Sequence, residues 1–122
     1  MAVDSRGIRG ATIAEANSPQ AILGATKELL QEMVRANDLH VEDVACVFFT
    51  TTRDLDAEFP AVGARAMGWT QVALLCGHEM DVPGAMSSVI RVMLVVNTDK
   101  RQDEIVHVYL KEARRLRPAN GE

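Results

Sequence analysis

Two stretches of the chain are apolar on both faces of the strands they predict, and this feature constrains the fold most. Residues 43–52, "DVACVFFTTT", and residues 88–98, "SVIRVMLVVNT", are rich in β-branched and aromatic side chains. A strand with one face in water alternates apolar and polar residues, so these runs indicate strands covered on both faces. One long amphipathic helix pattern, residues 19–37, is available as a cover. A second copy of the chain is the simplest cover for the other face, so we expect a closed homo-oligomer.

The elements follow in the order strand, helix, strand, short helix and three strands. Ser18 and Pro19 are typical of an N-cap and a first helical position, and Asn37 predicts the end of the long helix. Pro60 and Gly68 delimit the short helix. The other strands are predicted at residues 6–13, 70–76 and 104–110. This order predicts an α+β fold in which a mixed β-sheet packs against one long helix and a short helix.

Length and composition narrow the class of protein. We expect the 122 residues to form one domain, 1–122. The net charge of −4 argues against nucleic-acid and anionic-membrane partners. No apolar run approaches the ~20 residues of a membrane span, and the leader "MAVDSRG" is too short and polar for a signal peptide. Cys46 and Cys76 lack a metal-ligand spacing and fit a reducing cytoplasm, which is the expected location.

Arg91 stands inside an apolar strand and needs an anion opposite it. One interpretation is a buried ion pair with Glu79 or Asp81, although such a pair adds little stability over two apolar residues. The other is a site for an anionic ligand, because the planar guanidinium grips carboxylates bidentately. Taken singly, the polar residues near strand ends also fit structural roles. Those that converge on Arg91 in the second interpretation are Arg9, Cys76, Glu79 and Tyr109.

The catalytic motifs of several enzyme classes are absent from the sequence. It contains no Ser or Cys with an obvious His partner, no CxxC, no HExxH, no phosphate loop and no GxGxxG after a strand. His78 and His107 do not have metal-ligand spacing. We therefore expect chemistry by electrostatics and shape on a small, oxygen-rich anion, without a metal or cofactor.

Five segments, in one order along the chain, resemble the monofunctional, trimeric class of chorismate mutase. They are "RGIRGAT", "DLDAEFPAVGAR", "GW", "CGHEMDVPGAMSSVIRVM" and "HVYLKEARRLRP", and together they run from Arg6 to Pro118. The resemblance implies a homotrimer whose sheets form a pseudo-barrel, with active sites in clefts between subunits. It also implies conversion of chorismate to prephenate in the shikimate route to aromatic amino acids. This Claisen rearrangement needs no nucleophile, metal or cofactor.

The family pattern implies roles for residues of the central pocket. It implies that Arg91 faces the ether oxygen of the substrate. Glu79 then accepts a hydrogen bond from the ring hydroxyl and keeps Arg91 oriented when the site is empty. Arg9 and Tyr109 hold the enolpyruvyl carboxylate, and the region of Cys76 packs against the ring.

Other matched positions close the cleft. Phe59 and Arg65 match positions that reach the cleft from the adjoining subunit, and Leu116 and Arg117 match the C-terminal segment that covers the pocket. The chain also departs from the family pattern. Val62 stands where a Lys is frequent, Leu75 stands where a Thr is common, and the tail beyond Pro118 is short.

Two alternatives to a mutase are compatible with the residues. One is an enamine or imine hydrolase of similar architecture with a different arginine-centred pocket. The other is a non-catalytic trimeric protein that binds a dicarboxylate metabolite without converting it. Turnover of chorismate distinguishes both from the mutase.

Overall fold

A computed structural model describes residues 3–117, and its centre is a five-stranded sheet. The strands are β1 (Asp4–Ile13), β2 (Val44–Thr51), β3 (Ala73–His78), β4 (Val89–Thr98) and β5 (Val108–Tyr109), in the spatial order β3-β2-β4-β1-β5. Strand β4 pairs antiparallel with β1 and β2, whereas β2 with β3 and β1 with β5 are parallel. With α1 (Pro19–Asn37) and α2 (Pro60–Ala66), this mixed sheet confirms the predicted α+β class.

Helix α1 begins and ends where its sequence predicts. The side chain of Ser18 accepts a hydrogen bond from the Ala21 N–H at 3.1 Å, and Pro19 occupies the first turn, where no N–H is needed. Asp38 follows the helix with a left-handed φ of 51°, and its N–H bonds back to the last turn. The buried stripe of the helix faces the sheet and contains Ile22, Ala25, Leu29, Leu30 and Met33.

The core lies between the helices and one face of the sheet. Alternate residues of the strands point into it, and Trp69, just past α2, is 2% exposed there. The largest sheet contributions come from Ile8, Val47, Phe49, Val92, Leu94 and Val96. We call this side of the sheet the covered face.

The opposite side of the sheet, here called the open face, carries an apolar row. Leu75, Phe48 and Met93 are cross-strand neighbours on β3, β2 and β4. They are 62%, 45% and 37% exposed, respectively. The prediction that the central strands are apolar on both faces is therefore confirmed, and the second face lies open in the single chain.

The fifth strand is shorter than predicted. Residues 104–110 were expected to pair throughout, but β5 has two residues, Val108 and Tyr109. The backbone of Val106 is instead paired with the buried side chain of Asn37, which accepts from the Val106 N–H and donates to its C=O, both at 2.8 Å. A backbone segment that is hydrogen-bonded by a side chain instead of a strand cannot be told from a strand by its sequence pattern, so the predicted strand was too long. Short 3-10 helices occupy Val41–Asp43, Gln102–Glu104 and Lys111–Leu116.

Two further strand ends differ by a few residues. Strand β3 begins at Ala73 and continues through Cys76 to His78, whereas residues 70–76 were predicted. Gly68, with φ of 93°, turns the chain after α2, and residues 70–72 complete that turn before pairing begins. The expectations for the leader's first residues and for the tail beyond Arg117 fall on positions 1–2 and 118–122, outside the described residues. Within residues 3–117, neither helix has the length and apolar character needed to span a bilayer.

Candidate active site

Arg91 lies in the middle of a row of residues on the open face. Its cross-strand neighbours are Thr50 on β2 and Ala11 on β1, and Tyr109 on β5 lies beyond Ala11. Cross-strand neighbours project from the same face of a sheet. The methyl group of Ala11 therefore leaves space between the guanidinium and the phenol. A cavity of about 210 Å³ occupies this space, and its other lining residues include Arg9, Phe48, Glu79 and Met93.

Glu79 is fixed in this cavity by three contacts, two of which involve its carboxylate. Its backbone N–H donates to the carbonyl of Thr51 at 2.8 Å, which holds the residue just past the end of β3. The hydroxyl of Thr50 donates to its Oε2. Nε of Arg91 lies 3.6 Å from the same oxygen. The predicted proximity of Glu79 and Arg91 is thus present in the structure, and Thr50 is an additional contact that the sequence did not single out.

Arg9 lies two residues from Ala11 on β1, beside Met93. Its backbone N–H donates to Nδ1 of His107 at 2.9 Å. Burial lowers the pKa of His107, and the nearby charge of Arg9 lowers it further. A neutral imidazole whose Nδ1 accepts from the backbone therefore supports the strand that carries Arg9. The sequence analysis gave His107 no role, and its spacing of two residues before Tyr109 was the available signal.

In the single chain, the side chains of Arg91 and Glu79 are only partly buried. A strand with apolar residues on both sides predicted a dry guanidinium, but its side chain is 46% exposed and that of Glu79 is 30% exposed. The reason is that β4 presents its odd-numbered residues to the open face, where the single chain supplies no cover. The single chain accordingly contains a partly exposed ion pair between Arg91 and Glu79 instead of the buried ion pair considered in the sequence analysis.

Cys76 does not join the Arg91 cavity. It pairs with Phe49 of β2 and packs against the core on the covered face. Together with Phe59 it lines a second cavity, of about 310 Å³, at the β3 edge of the sheet. No residue lines both cavities. Phe59 is 66% exposed there, so its large aromatic side chain is accessible for contact with another molecule.

The other predicted site residues lie apart from both cavities. Arg65 is exposed in the last turn of α2. Leu116 is half-buried at the end of the C-terminal 3-10 helix, and Arg117 is exposed just beyond it. These three residues line neither the Arg91 cavity nor the Phe59 cavity. Val62 and Leu75, the departures from the family pattern, are half-buried on α2 and exposed on β3, respectively.

The Arg91 cavity is chemically suited to a small anion. Two guanidiniums and one carboxylate give it a net positive charge within a chain of net charge −4. Tyr109 and Thr50 add hydroxyl groups, and Phe48 and Met93 add apolar surface. Across the described ranges, no cluster of three His, Cys, Asp or Glu could hold a metal ion. The fold and the cavity define the class: a small α+β protein with an arginine-centred anion site on the open face of a mixed sheet.

Comparison with known proteins identifies the family. The sequence profile of the family "Chorismate mutase type I" matches residues 5–120. The chain is 51% identical to the chorismate mutase AroH of Thermus thermophilus, over 93% of both chains. It is 46% identical to the chorismate mutase AroH of Bacillus subtilis (strain 168), over 93% of this chain and 90% of that one.

A solved structure agrees with these relatives. The chorismate mutase from Clostridium thermocellum superposes with a TM-score of 0.87 at 50% identity, covering 88% of this chain and 96% of that one. The chain therefore belongs to the type I chorismate mutase family. The family, the fold and the enzyme class predicted from the sequence, a chorismate mutase and thus an isomerase, are confirmed.

Proposed function

We propose that the protein converts chorismate to prephenate and that the Arg91 cavity is one half of its active site. The proposal rests mainly on the guanidinium of Arg91, which lies on the central strand β4 and is contacted by Glu79. It lines the cavity together with a second arginine, Arg9. Chorismate is a flexible dicarboxylate, so a cavity with two guanidiniums complements its charge.

The rearrangement makes two demands on the protein. One C–O bond breaks as one C–C bond forms, so the substrate has to be held in a compact, chair-like conformation. Negative charge develops on the ether oxygen as the C–O bond opens. A guanidinium aimed at that oxygen stabilises the transition state more than the ground state, which is the condition for catalysis. A central strand suits Arg91 because its backbone is fixed by ladders on both sides.

The remaining side chains of the cavity divide the binding of the substrate. Arg9 and Tyr109 hold the enolpyruvyl carboxylate, for which they offer a guanidinium and a phenol from neighbouring strands. Glu79 accepts a hydrogen bond from the ring hydroxyl, because an ionised carboxylate is an acceptor only. Its contact with Nε of Arg91 keeps the guanidinium aimed before the substrate arrives.

The second half of the site comes from another subunit of a homotrimer. The Arg91 cavity, at about 210 Å³, is smaller than the roughly 300–1,000 Å³ of most ligand pockets and lacks a wall. The exposed row of Leu75, Phe48 and Met93 beside it provides an apolar contact surface. The proposed partner contributions are Phe59 and Arg65, together with Cys76, whose cavity adjoins Phe59. Burial in this contact supplies the dry surroundings that Arg91 lacks in the single chain.

Three further proposals complete this function. Leu116 and Arg117, which line neither cavity of the single chain, belong to the segment that covers the bound substrate. The domain spans residues 1–122, consistent with a family match to 5–120. The protein acts in the cytoplasm without a cofactor, and both cysteines are free, as that compartment favours.

A chorismate turnover assay tests the proposal. The purified protein is treated with a chelator and dialysed, and the disappearance of chorismate is then followed. We expect prephenate to form far above the spontaneous rate, with no loss on chelation. Binding of chorismate without turnover would instead support the metabolite-binding alternative. Hydrolysis of an enamine or imine substrate with no reaction of chorismate would support the hydrolase alternative.

A further inference from the structure

We infer that Thr50 is a positioning residue, which holds the carboxylate of Glu79 in the orientation that catalysis needs. This inference rests on the proposed function of the Arg91 cavity. The hydroxyl of Thr50 donates to Oε2 of Glu79, although 29 positions separate the two residues in the chain. Because an ionised carboxylate has no proton to donate, the hydroxyl hydrogen of Thr50 has to point at Glu79.

The strand position of Thr50 fixes the direction of this hydrogen bond. Thr50 is the cross-strand neighbour of Arg91 in β2, so both side chains rise from the same face. A β-branched side chain is stiff about χ1, and the strand backbone is fixed by ladders to β3 and β4. The hydroxyl is therefore a rigid donor, whereas the Glu79 side chain has three rotatable bonds.

The adjacent threonines do not share this role. Thr51 points to the covered face, where it is buried and donates to the carbonyl of Leu55 at 3.2 Å. The Oγ1 of Thr52 accepts from the N–H of Val89 at 3.0 Å. Of the three residues, Thr50 alone makes a hydrogen bond to the carboxylate of Glu79 in the described part of the chain, because Thr51 contacts only the Glu79 backbone N–H, through its carbonyl.

The geometry shows what Thr50 contributes. Oε2 of Glu79 is shared between the hydroxyl of Thr50 and Nε of Arg91. That arrangement leaves Oε1 to accept from the ring hydroxyl of the substrate. It also keeps the carboxylate from turning both oxygens toward the guanidinium, since such bidentate pairing is the stronger alternative. In a bidentate pair, the donors of Arg91 would be engaged by Glu79 instead of the ether oxygen.

An isosteric substitution tests this role. Thr50→Val keeps the shape and β-branching and removes the donor, and it should lower kcat by roughly tenfold with a smaller change in KM, consistent with loss of one orienting hydrogen bond. Thr50→Ser restores the hydroxyl and should return kcat to within about threefold of wild type. Thr12→Val is the matched control, because Oγ1 of Thr12 is buried on the covered face with no hydrogen-bond partner among the described residues.

A double-mutant cycle separates positioning from a structural effect. If Thr50 acts through Glu79, Thr50→Val in a Glu79→Ala background should change kcat by less than about twofold. An equal loss in both backgrounds, or wild-type kcat in Thr50→Val, would overturn the inference. Crystal structures of wild type and Thr50→Val give a readout that does not need turnover. The Glu79 carboxylate should rotate toward Arg91 in the variant, and an unmoved carboxylate would reject the role even if wild type proved inactive on chorismate.

Discussion

Arg91 and Cys76 project from opposite faces of the same sheet. Arg91 pairs with Thr50 on the open face. Cys76 pairs with Phe49, the residue of β2 that precedes Thr50 and is 1% exposed in the core. The cavities they line share no residue. One segment of the family pattern, "CGHEMDVPGAMSSVIRVM", carries both residues. The proposed site between two subunits would reconcile that pattern with the geometry.

A shared site predicts that two inactive chains restore each other. Arg91→Ala removes the Arg91 half and Arg65→Ala removes the partner half, so neither homotrimer should be active. In randomly mixed trimers of equal proportion, about a quarter of the sites pair two intact halves, because each half is intact with even odds. Chorismate turnover after unfolding and refolding the two variants together measures this fraction. Activity equal to the average of the separate variants would place both residues in one subunit's site.

The charge of Arg91 should matter far more for kcat than for substrate binding. Removal of a single pre-aimed neutral donor typically costs ~10²–10³ in rate, and a guanidinium should reach at least that range in Arg91→Ala. Arg91→Lys should recover part of the rate, since an ammonium supplies charge without the planar fork. Arg101→Ala, which removes an exposed arginine paired with Asp103 at the surface, is the control. Steady-state kinetics on the folded variants measure kcat and KM separately. A loss of kcat under about tenfold in Arg91→Ala would make Arg91 a structural residue.

The sequence predicted the elements better than it predicted their mutual placement. Ser18 and Pro19 identified the start of α1 because caps are local chemistry. The charges predicted a partner for Arg91 in Glu79 or Asp81, the family resemblance favoured Glu79, and the structure has the contact with Glu79. The face occupied by Cys76 was not, because the side-chain period of a strand gives alternation but not register, and a shift of one residue reverses the face. The hydrogen bond from Thr50 depends on the same register and was missed for the same reason.

Asn37 should be a major determinant of stability. Its side chain is 1% exposed, donates to the carbonyls of Met33 and Val106 and accepts from the Val106 N–H. Asn37→Ala removes three hydrogen bonds of a buried side chain, two of which hold the backbone of Val106, and should lower the free energy of unfolding by about 2–4 kcal/mol. Asn97→Ala, at an exposed position where the side chain accepts from Ser5, should change it by less than about 0.5 kcal/mol. Denaturant unfolding at one fixed protein concentration measures both changes, because the stability of the proposed homotrimer would depend on concentration.

His107 should make the folded state sensitive to mild acid. Burial and the charge of Arg9 lower its pKa below the ordinary value of 6.5, so the unfolded chain takes up a proton first as the pH falls. The neutral imidazole accepts from the Arg9 N–H, which a protonated Nδ1 cannot do. Its contribution to stability is therefore fully present above about pH 7 and declines as the pH falls through 6.5 toward the lower folded pKa.

Comparison of thermal unfolding at pH 7.5 and pH 5.5 tests this dependence on His107. His107→Gln keeps an acceptor but cannot titrate, so its Tm should fall less than that of wild type between the two pH values. His40→Gln changes an exposed histidine that precedes the first 3-10 helix, and it should retain the wild-type pH dependence. A pH dependence that is equal in His107→Gln and wild type would mean that other groups govern acid sensitivity. A larger fall of Tm in His107→Gln than in wild type would contradict the direction of the pKa shift itself.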